Sequence, residues 1–189
     1  MPNGFRVMFA GNIGAAQDFA TILAAAEQLR THQDIHWVVL GDGRMAAWVA
    51  EQVEQRGLRD CVHLLGKYPV ARMPGFFAVA DAMLVTLKRD PIFALTIPSK
   101  VQSYLACGRP IIAGLDGEGA RVIEEAGAGI AVPAESPAAL ATAVLEMYKM
   151  PRAQREAIGH RGREYFLRNF ERNMLLQRLD REMKEAISR

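Results

Sequence analysis

The sequence predicts an α/β protein: a doubly wound, parallel six-stranded sheet in the Rossmann-like order 3-2-1-4-5-6, with further helices at the carboxyl end. Three observations predict it. Short apolar runs dense enough for strands buried on both faces alternate with longer stretches of helical apolar spacing along the whole chain. Glycine-bearing turns follow the apolar runs, as in Gly11-Asn12-Ile13-Gly14, Gly41-Asp42-Gly43 and Gly117-Glu118-Gly119. Finally, the chain has 189 residues, 50% of them hydrophobic, with no polar linker, so residues 1–189 are expected to form one domain around one core.

Taken in order, Phe5 to Ala10 reads as a central strand, and Ala15 to Arg30 as a helix with Phe19, Ile22, Leu23, Ala26 and Leu29 on one face. Ile35 to Leu40 is the second strand, Met45 to Gln55 a helix and Val62 to Leu65 the third strand. Val70 to Ala80 suggests a helix disturbed by Pro74 and Gly75, Ala82 to Leu87 the fourth strand, and Lys88 to Thr96 a long loop. Pro98 can open a helix because its missing N–H would be unpaired in the first turn; Val101, Tyr104 and Leu105 then repeat at helical spacing. Gly108 ends that helix, Pro110 cannot continue it, and Ile111 to Ala113 is the fifth strand. Gly117-Glu118-Gly119 is expected as a turn before a helix over Ala120 to Glu125, and Ile130 to Val132 as the last strand. Ser136 is a candidate N-cap with Pro137 behind it for a helix reaching Met150, and Pro151 opens another over Arg152 to Phe170. The tail from Asn173 to Ile187 sets Leu175, Leu176, Leu179 and Met183 opposite Arg172, Arg178 and Arg181.

Composition excludes several functions. A formal net charge of +2, with Lys and Arg dispersed among Asp and Glu, offers no basic stripe for nucleic acid. Cys61 and Cys107 lie in apolar surroundings and read as buried free thiols, which points to a reducing compartment. No leader is apparent, and the longest apolar runs fall short of the roughly 20 residues a membrane span needs. His32, His36, His63 and His160 lack metal-ligand spacing and no Ser-His-Asp or CxxC arrangement exists, so neither a metal nor a cofactor is expected.

In a sheet of this order, ligands bind outside the carboxyl ends of the strands where the strand order reverses. The segments placed there are Gly11 to Gly14, Gly41 to Arg44, Gly66-Lys67-Tyr68, the loop and helix start leading to Lys100, and Gly117 to Ala120. Gly11-Asn12-Ile13-Gly14 lets backbone approach a ligand, with a helix N-terminus expected behind Gly14 to favour anions. It is equally a tight strand-to-helix connection, and it lacks the full GxGxxG spacing.

Pro98-Ser99-Lys100, Tyr104 to Pro110 and Gly117-Glu118-Gly119-Ala120-Arg121 carry a resemblance, supported by the glycine turns after the first two strands. The chain resembles the carboxyl-terminal, donor-binding domain of a two-domain glycosyltransferase with the GT-B fold, of the retaining family 4. The resemblance implies a nucleotide-sugar donor, most simply a UDP-sugar, and an acceptor held by an amino-terminal domain that this chain does not contain. It also implies a cytoplasmic protein, acting at the inner face of the membrane through that other half, in surface polysaccharide or lipid-linked glycan synthesis. Donor-binding positions carried over are Gly11, Asn12, Ile13, Gly14, Gly41, Gly43, Gly66, Lys67, Tyr68, Ser99, Lys100, Gln102, Ser103, Gly117, Glu118 and Gly119. Lys100 is expected to stabilise the leaving diphosphate and Glu118 to contact the transferred sugar, although Glu118 reads equally as a solvated turn residue.

Two departures stand out. Relatives carry an Arg and a Lys at the positions of Asn12 and Gln17, so two diphosphate-binding charges are absent here. They also carry a pair of glutamates at the positions of Leu95 and Ser103, where only Ser103 and its neighbour Gln102 retain hydrogen-bonding groups. Two rivals therefore stand beside the transferase: a non-catalytic or regulatory nucleotide-binding domain, and one half of a nucleotide-sugar epimerase. Lys100, in the first turn of its helix, is mildly disfavoured by the helix dipole and calls for a bound anion or a carboxylate such as Asp90.

Overall fold

Val7, Met8 and Phe9 are fully buried because β1 (Phe5–Ala10) is covered on both faces, as an unbroken apolar run requires. β1 pairs in parallel with β2 (Ile35–Leu40) along its whole length, Phe5 opposite Ile35 through Ala10 opposite Leu40. Its other edge pairs with β4 (Ala82–Thr86) at Val7 and Met8. β3 (Val62–Gly66) lies outside β2, and β5 (Ile111–Gly114) and β6 (Gly129–Val132) continue beyond β4, giving the order 3-2-1-4-5-6 with every pairing parallel. This computed structural model describes residues 1–187; Ser188 and Arg189, the end of the expected 1–189 domain, lie outside the described residues.

Alternation of side chains along the strands divides the core into two layers. Val7, Phe9, Trp37, Val39 and Leu84 face α1 (Phe19–Gln28), α2 (Ala46–Gln55) and α7 (Pro137–Lys149), whose Ile22, Val49 and Val144 are buried against them. Met8, Val38, Met83 and Val85 face the opposite layer, where Tyr104 and Leu105 of α5 (Ser99–Cys107) and Val122 and Ile123 of α6 (Glu118–Glu125) are buried. α3 (Met73–Ala78) contributes Phe76 and Phe77 to that side, and α8 (Arg152–Asn169) contributes Tyr165 and Phe166.

The departures from the expected elements have local causes. The helix expected from Ala15 breaks into a 3-10 turn (Ala15–Gln17) and α1, with Asp18 between them in the left-handed region at φ 47°. The turn is held to the end of β4, where the Thr86 hydroxyl donates to the Gln17 carbonyl at 2.5 Å and the Lys88 N–H to the Ala16 carbonyl at 2.9 Å. Val70 to Ala80 likewise divides into a 3-10 turn (Val70–Arg72) and α3. The expected loop after β4 contains a short helix, α4 (Pro91–Ala94), capped by the Asp90 carboxylate accepting from the Ile92 N–H at 2.8 Å. The Gly-Glu-Gly turn is shorter than expected: Gly117 is the N-cap at φ 76°, and Glu118 and Gly119 already belong to α6. Pro98 and Pro151 stand one position before their helices, and Ser136 precedes α7 without a side-chain capping hydrogen bond. Cys61 is a buried free thiol, whereas Cys107, also free, is only partly buried. α9 (Arg172–Ile187) buries none of its residues, and its stripe from Leu175 to Met183 faces solvent.

Candidate functional site

At the carboxyl ends of β1, β2 and β3 the chain builds a floor out of peptide groups. The ladder continues past the strands, with the Gly11 N–H donating to the Leu40 carbonyl and the Gly41 N–H to the Gly66 carbonyl, both at 2.8 Å. Ile13 N–H then donates to the Asp42 carbonyl at 2.9 Å, and Met45 N–H to the Ile13 carbonyl at 3.0 Å, so the first two turns are laced together. They meet too closely for side chains. A β-carbon on Gly41, whose φ is 145°, would lie 1.8 Å from the Gly11 carbonyl oxygen, and one on Gly43 would lie 2.5 Å from that of Ile13.

α5 forms one wall, and Tyr104 sets its position. The buried Tyr104 hydroxyl accepts from the Ala10 N–H and donates to the Ala10 carbonyl, each at 3.1 Å. Pairing between β1 and β4 stops at Met8 although β4 runs on to Thr86, so the phenol takes the place of a strand partner for Ala10. Burial pushes the phenol well above its ordinary titration range and keeps it a donor. One turn earlier on the same helix face, Lys100 extends over Gly11, where a β-carbon would come within 2.7 Å of its Cε. Its ammonium lies 5.1 Å above the Phe9 ring and donates to Gln17 Oε1 at 2.7 Å. Asp90 is engaged in capping α4, and no carboxylate among the described residues pairs with Lys100. Burial pushes the Lys100 amine below its ordinary value. The first turn of α5 carries no side-chain capping hydrogen bond, and its Ser99 and Lys100 line this space.

The opposite wall is apolar. Tyr68, Val70, Met73 and Phe77 line it, with the Tyr68 ring centroid 4.7 Å from that of Phe76 at a tilt of 60° and Phe77 edge-on to Tyr104. The open cleft has a volume of about 660 Å³. Of the residues expected from sequence, Gly11, Asn12, Gly41, Gly43, Lys67, Tyr68, Ser99, Lys100 and Ser103 line it together. Ile13, Gly14, Gly66, Gln102, Gly117, Glu118 and Gly119 do not. Gly14 precedes the 3-10 turn, so the helix N-terminus expected behind it is displaced to Phe19. Gly117 and Gly119 have a packing reason: β-carbons there would lie 2.0 Å from the Ala94 carbonyl oxygen and 3.0 Å from Pro98. Glu118 pairs with Arg121 at 2.8 Å on the outer face of α6, and that hydrogen bond holds its carboxyl below the usual range. Sequence reasoning missed the apolar wall, although Val70, Met73 and Phe77 already stood at helical spacing. It also missed the hydroxyl of Tyr104, whose place one turn after Lys100 was the available signal.

A family model described as glycosyl transferases group 1 matches residues 4–150. The chain belongs to this family. The probable glycosyltransferase WbjE of Pseudomonas aeruginosa is 33% identical over 147 residues, covering 75% of this chain and 35% of that protein. The putative colanic acid biosynthesis glycosyl transferase WcaI of Escherichia coli K12 is 31% identical over 103 residues, 54% of this chain and 24% of that protein. The chain thus spans about a third of one curated relative and a quarter of the other. Anabaena HepE, solved in complex with UDP and glucose, superposes with a TM-score of 0.82 at 15% identity, over 97% of this chain and 49% of that one, which shows a common fold.

Within this group 1 glycosyltransferase domain, the residues that break the resembling pattern have other partners. Gln17 holds Lys100, and the Ser103 hydroxyl donates to the Ser99 carbonyl at 3.0 Å. Leu95, just past α4, is 79% exposed. Asn12 fills the space between the glycines, its Nδ2 2.7 Å from where a β-carbon of Gly14 would sit. No helix among the described residues is long and apolar enough to cross a membrane, and no cluster of three or more His, Cys, Asp or Glu could hold a metal ion.

Proposed function

We propose that this chain is the donor-binding domain of a retaining family 4 glycosyltransferase that takes a sugar from a UDP-sugar and delivers it to an acceptor hydroxyl held by an amino-terminal domain. One observation carries the reading: the cleft is divided into a peptide floor with an unpaired cation at one end and an apolar, aromatic wall at the other. A nucleoside diphosphate is divided the same way. Its phosphates fit beside Lys100 and the start of α5, over the floor that Gly11 and Gly41 leave clear of side chains; its base fits the wall from Tyr68 to Phe77. In transfer the bond from the sugar to the diphosphate breaks while the acceptor oxygen attacks the same face. The charge developing on the leaving group is therefore what the domain must stabilise. Ser99 and Ser103 have hydroxyls at the cleft for the ribose or the sugar.

Membership of the family, the UDP and glucose bound by HepE, and the colanic acid role in the name of WcaI support a donor of this class and a polysaccharide or lipid-linked acceptor. The fraction of WbjE and WcaI that the chain spans supports a second domain for the acceptor. The place of action is the cytoplasm, at the inner membrane face. Leu95 and Ser103, in place of two carboxylates, favour one alternative, a non-catalytic domain that binds nucleotide without transferring sugar.

Calorimetric titration with UDP, GDP and uridine tests the binding: UDP is expected to bind weakly but more tightly than uridine, and heat from none of them overturns the reading. The 189-residue chain alone is expected to transfer no sugar, since the acceptor and much of the water exclusion over the cleft belong to the other domain. Joined to an acceptor domain, transfer separates the enzyme from the silent binding domain.

A further inference from the structure

We propose that Gln17 is a positioning residue of the cleft: its neutral amide oxygen holds the Lys100 ammonium over Gly11 without neutralising it, leaving the charge to a phosphate-bearing ligand. The proposal rests on the reading of the cleft as a nucleoside diphosphate site and assigns a role to a side chain that does not itself line it. Lys100 is a long side chain leaving a helix start, and the absent side chain at Gly11 opens its path across the floor. Phe9 supplies a ring face beneath it and Gln17 Oε1 an acceptor at 2.7 Å. The backbone that carries the acceptor is itself fixed. The Gln17 carbonyl accepts from the buried Thr86 hydroxyl at 2.5 Å, its N–H donates to the Gly14 carbonyl at 3.1 Å, and Asp18 turns the chain away at φ 47° to begin α1.

The chemistry of an amide suits this task better than its alternatives. An ammonium has three N–H donors and the amide oxygen occupies one, so two remain for a ligand. A carboxylate at position 17 would form an ion pair and compete with the incoming phosphate, and a second cation would repel Lys100. An aliphatic side chain would leave the ammonium unheld, so that ordering it would fall to the ligand. The resembling enzymes place a lysine at position 17; here the charge arrives from position 100 instead, and the residue at 17 is a neutral acceptor.

A double-mutant cycle tests this with UDP and uridine as probes. Gln17→Leu is expected to weaken UDP binding by about two- to tenfold, the range set by freezing one long side chain. Lys100→Met is expected to weaken it by about ten- to a hundredfold. If Gln17 acts through Lys100, adding Gln17→Leu to Lys100→Met costs nothing further. Uridine should bind all four forms alike, which also shows that each retains the folded cleft. An equal loss from Gln17→Leu in both backgrounds overturns the proposal, because Gln17 would then act on the ligand directly or only shape its loop. So does unchanged UDP binding by Gln17→Leu. Failure of the parent chain to bind UDP is a different result: it removes the functional reading, and the positioning role with it.

Discussion

At the scale of single residues, the behaviour of the site follows from Lys100 and Tyr104. Burial holds the Lys100 amine below its value in the unfolded chain, so between the two values the unfolded state binds more protons. Stability attributable to this group therefore rises with pH across that window and is lowest beneath it. A bound diphosphate acts in the opposite sense, raising the amine and favouring its charged form. Lys100→Ala removes a burial cost together with the contacts to Phe9 and Gln17. Its melting temperature should stay close to the parent's while UDP binding falls by about ten- to a hundredfold in calorimetry. Tyr104→Phe should do the reverse of that first effect. It strands both polar groups of Ala10 in the core, at a cost of about 1–3 kcal/mol, and the melting temperature should fall by about 2–4 °C for each of those. Lys100 was legible in the sequence from its position in a helix start. Its partner was not, because Gln17 lies 83 residues away and meets it only when β1 and α5 are brought together.

At the scale of elements, the strands were legible almost to the residue because a strand buried on both faces must be apolar along its buried length, as Val7 to Ala10 and Ala82 to Val85 are. Helices were legible where an apolar face of several turns had to be buried. Two segments failed for different reasons: Ala15 to Gln17 is pinned from outside by Thr86 and Lys88, whereas Pro91 to Ala94 is a single turn too short to show an apolar face, although its Asp90 cap stood next to it in the sequence. No periodicity reports a hydrogen bond to another strand. The first two turns belong to the same class, since Gly41 must lack a side chain to clear the Gly11 carbonyl and Gly11 to clear Lys100. Gly41→Ala should therefore destabilise the chain by about 3 kcal/mol or more in denaturant unfolding. The same substitution at Gly66, whose β-carbon would meet nothing within 4 Å, should cost only the strain of its positive φ, about 1 kcal/mol.

At the scale of the whole molecule, the sheet is complete within the residues that match the family, and α8 beyond them adds Ile158, Tyr165 and Phe166 to the two layers, whereas α9 buries nothing. Leu176→Glu combined with Leu179→Glu should therefore leave the unfolding free energy within about 0.5 kcal/mol of the parent's, as expected for side chains outside any core. A clear loss would show that α9 packs on the chain in solution. The division of labour inside the cleft reaches furthest. Its floor consists of carbonyls and N–H groups from Gly11, Ile13, Gly41 and Asp42, which every amino acid possesses. Its apolar wall consists of side chains on a separate turn and helix, free to change without disturbing the floor. Substitution at Tyr68, Val70, Met73 or Phe77 can thus alter which ligand is accepted, while the floor is inherited intact. The fold separates what can drift from what cannot, and a lineage built on it could change its ligand without first losing its cleft.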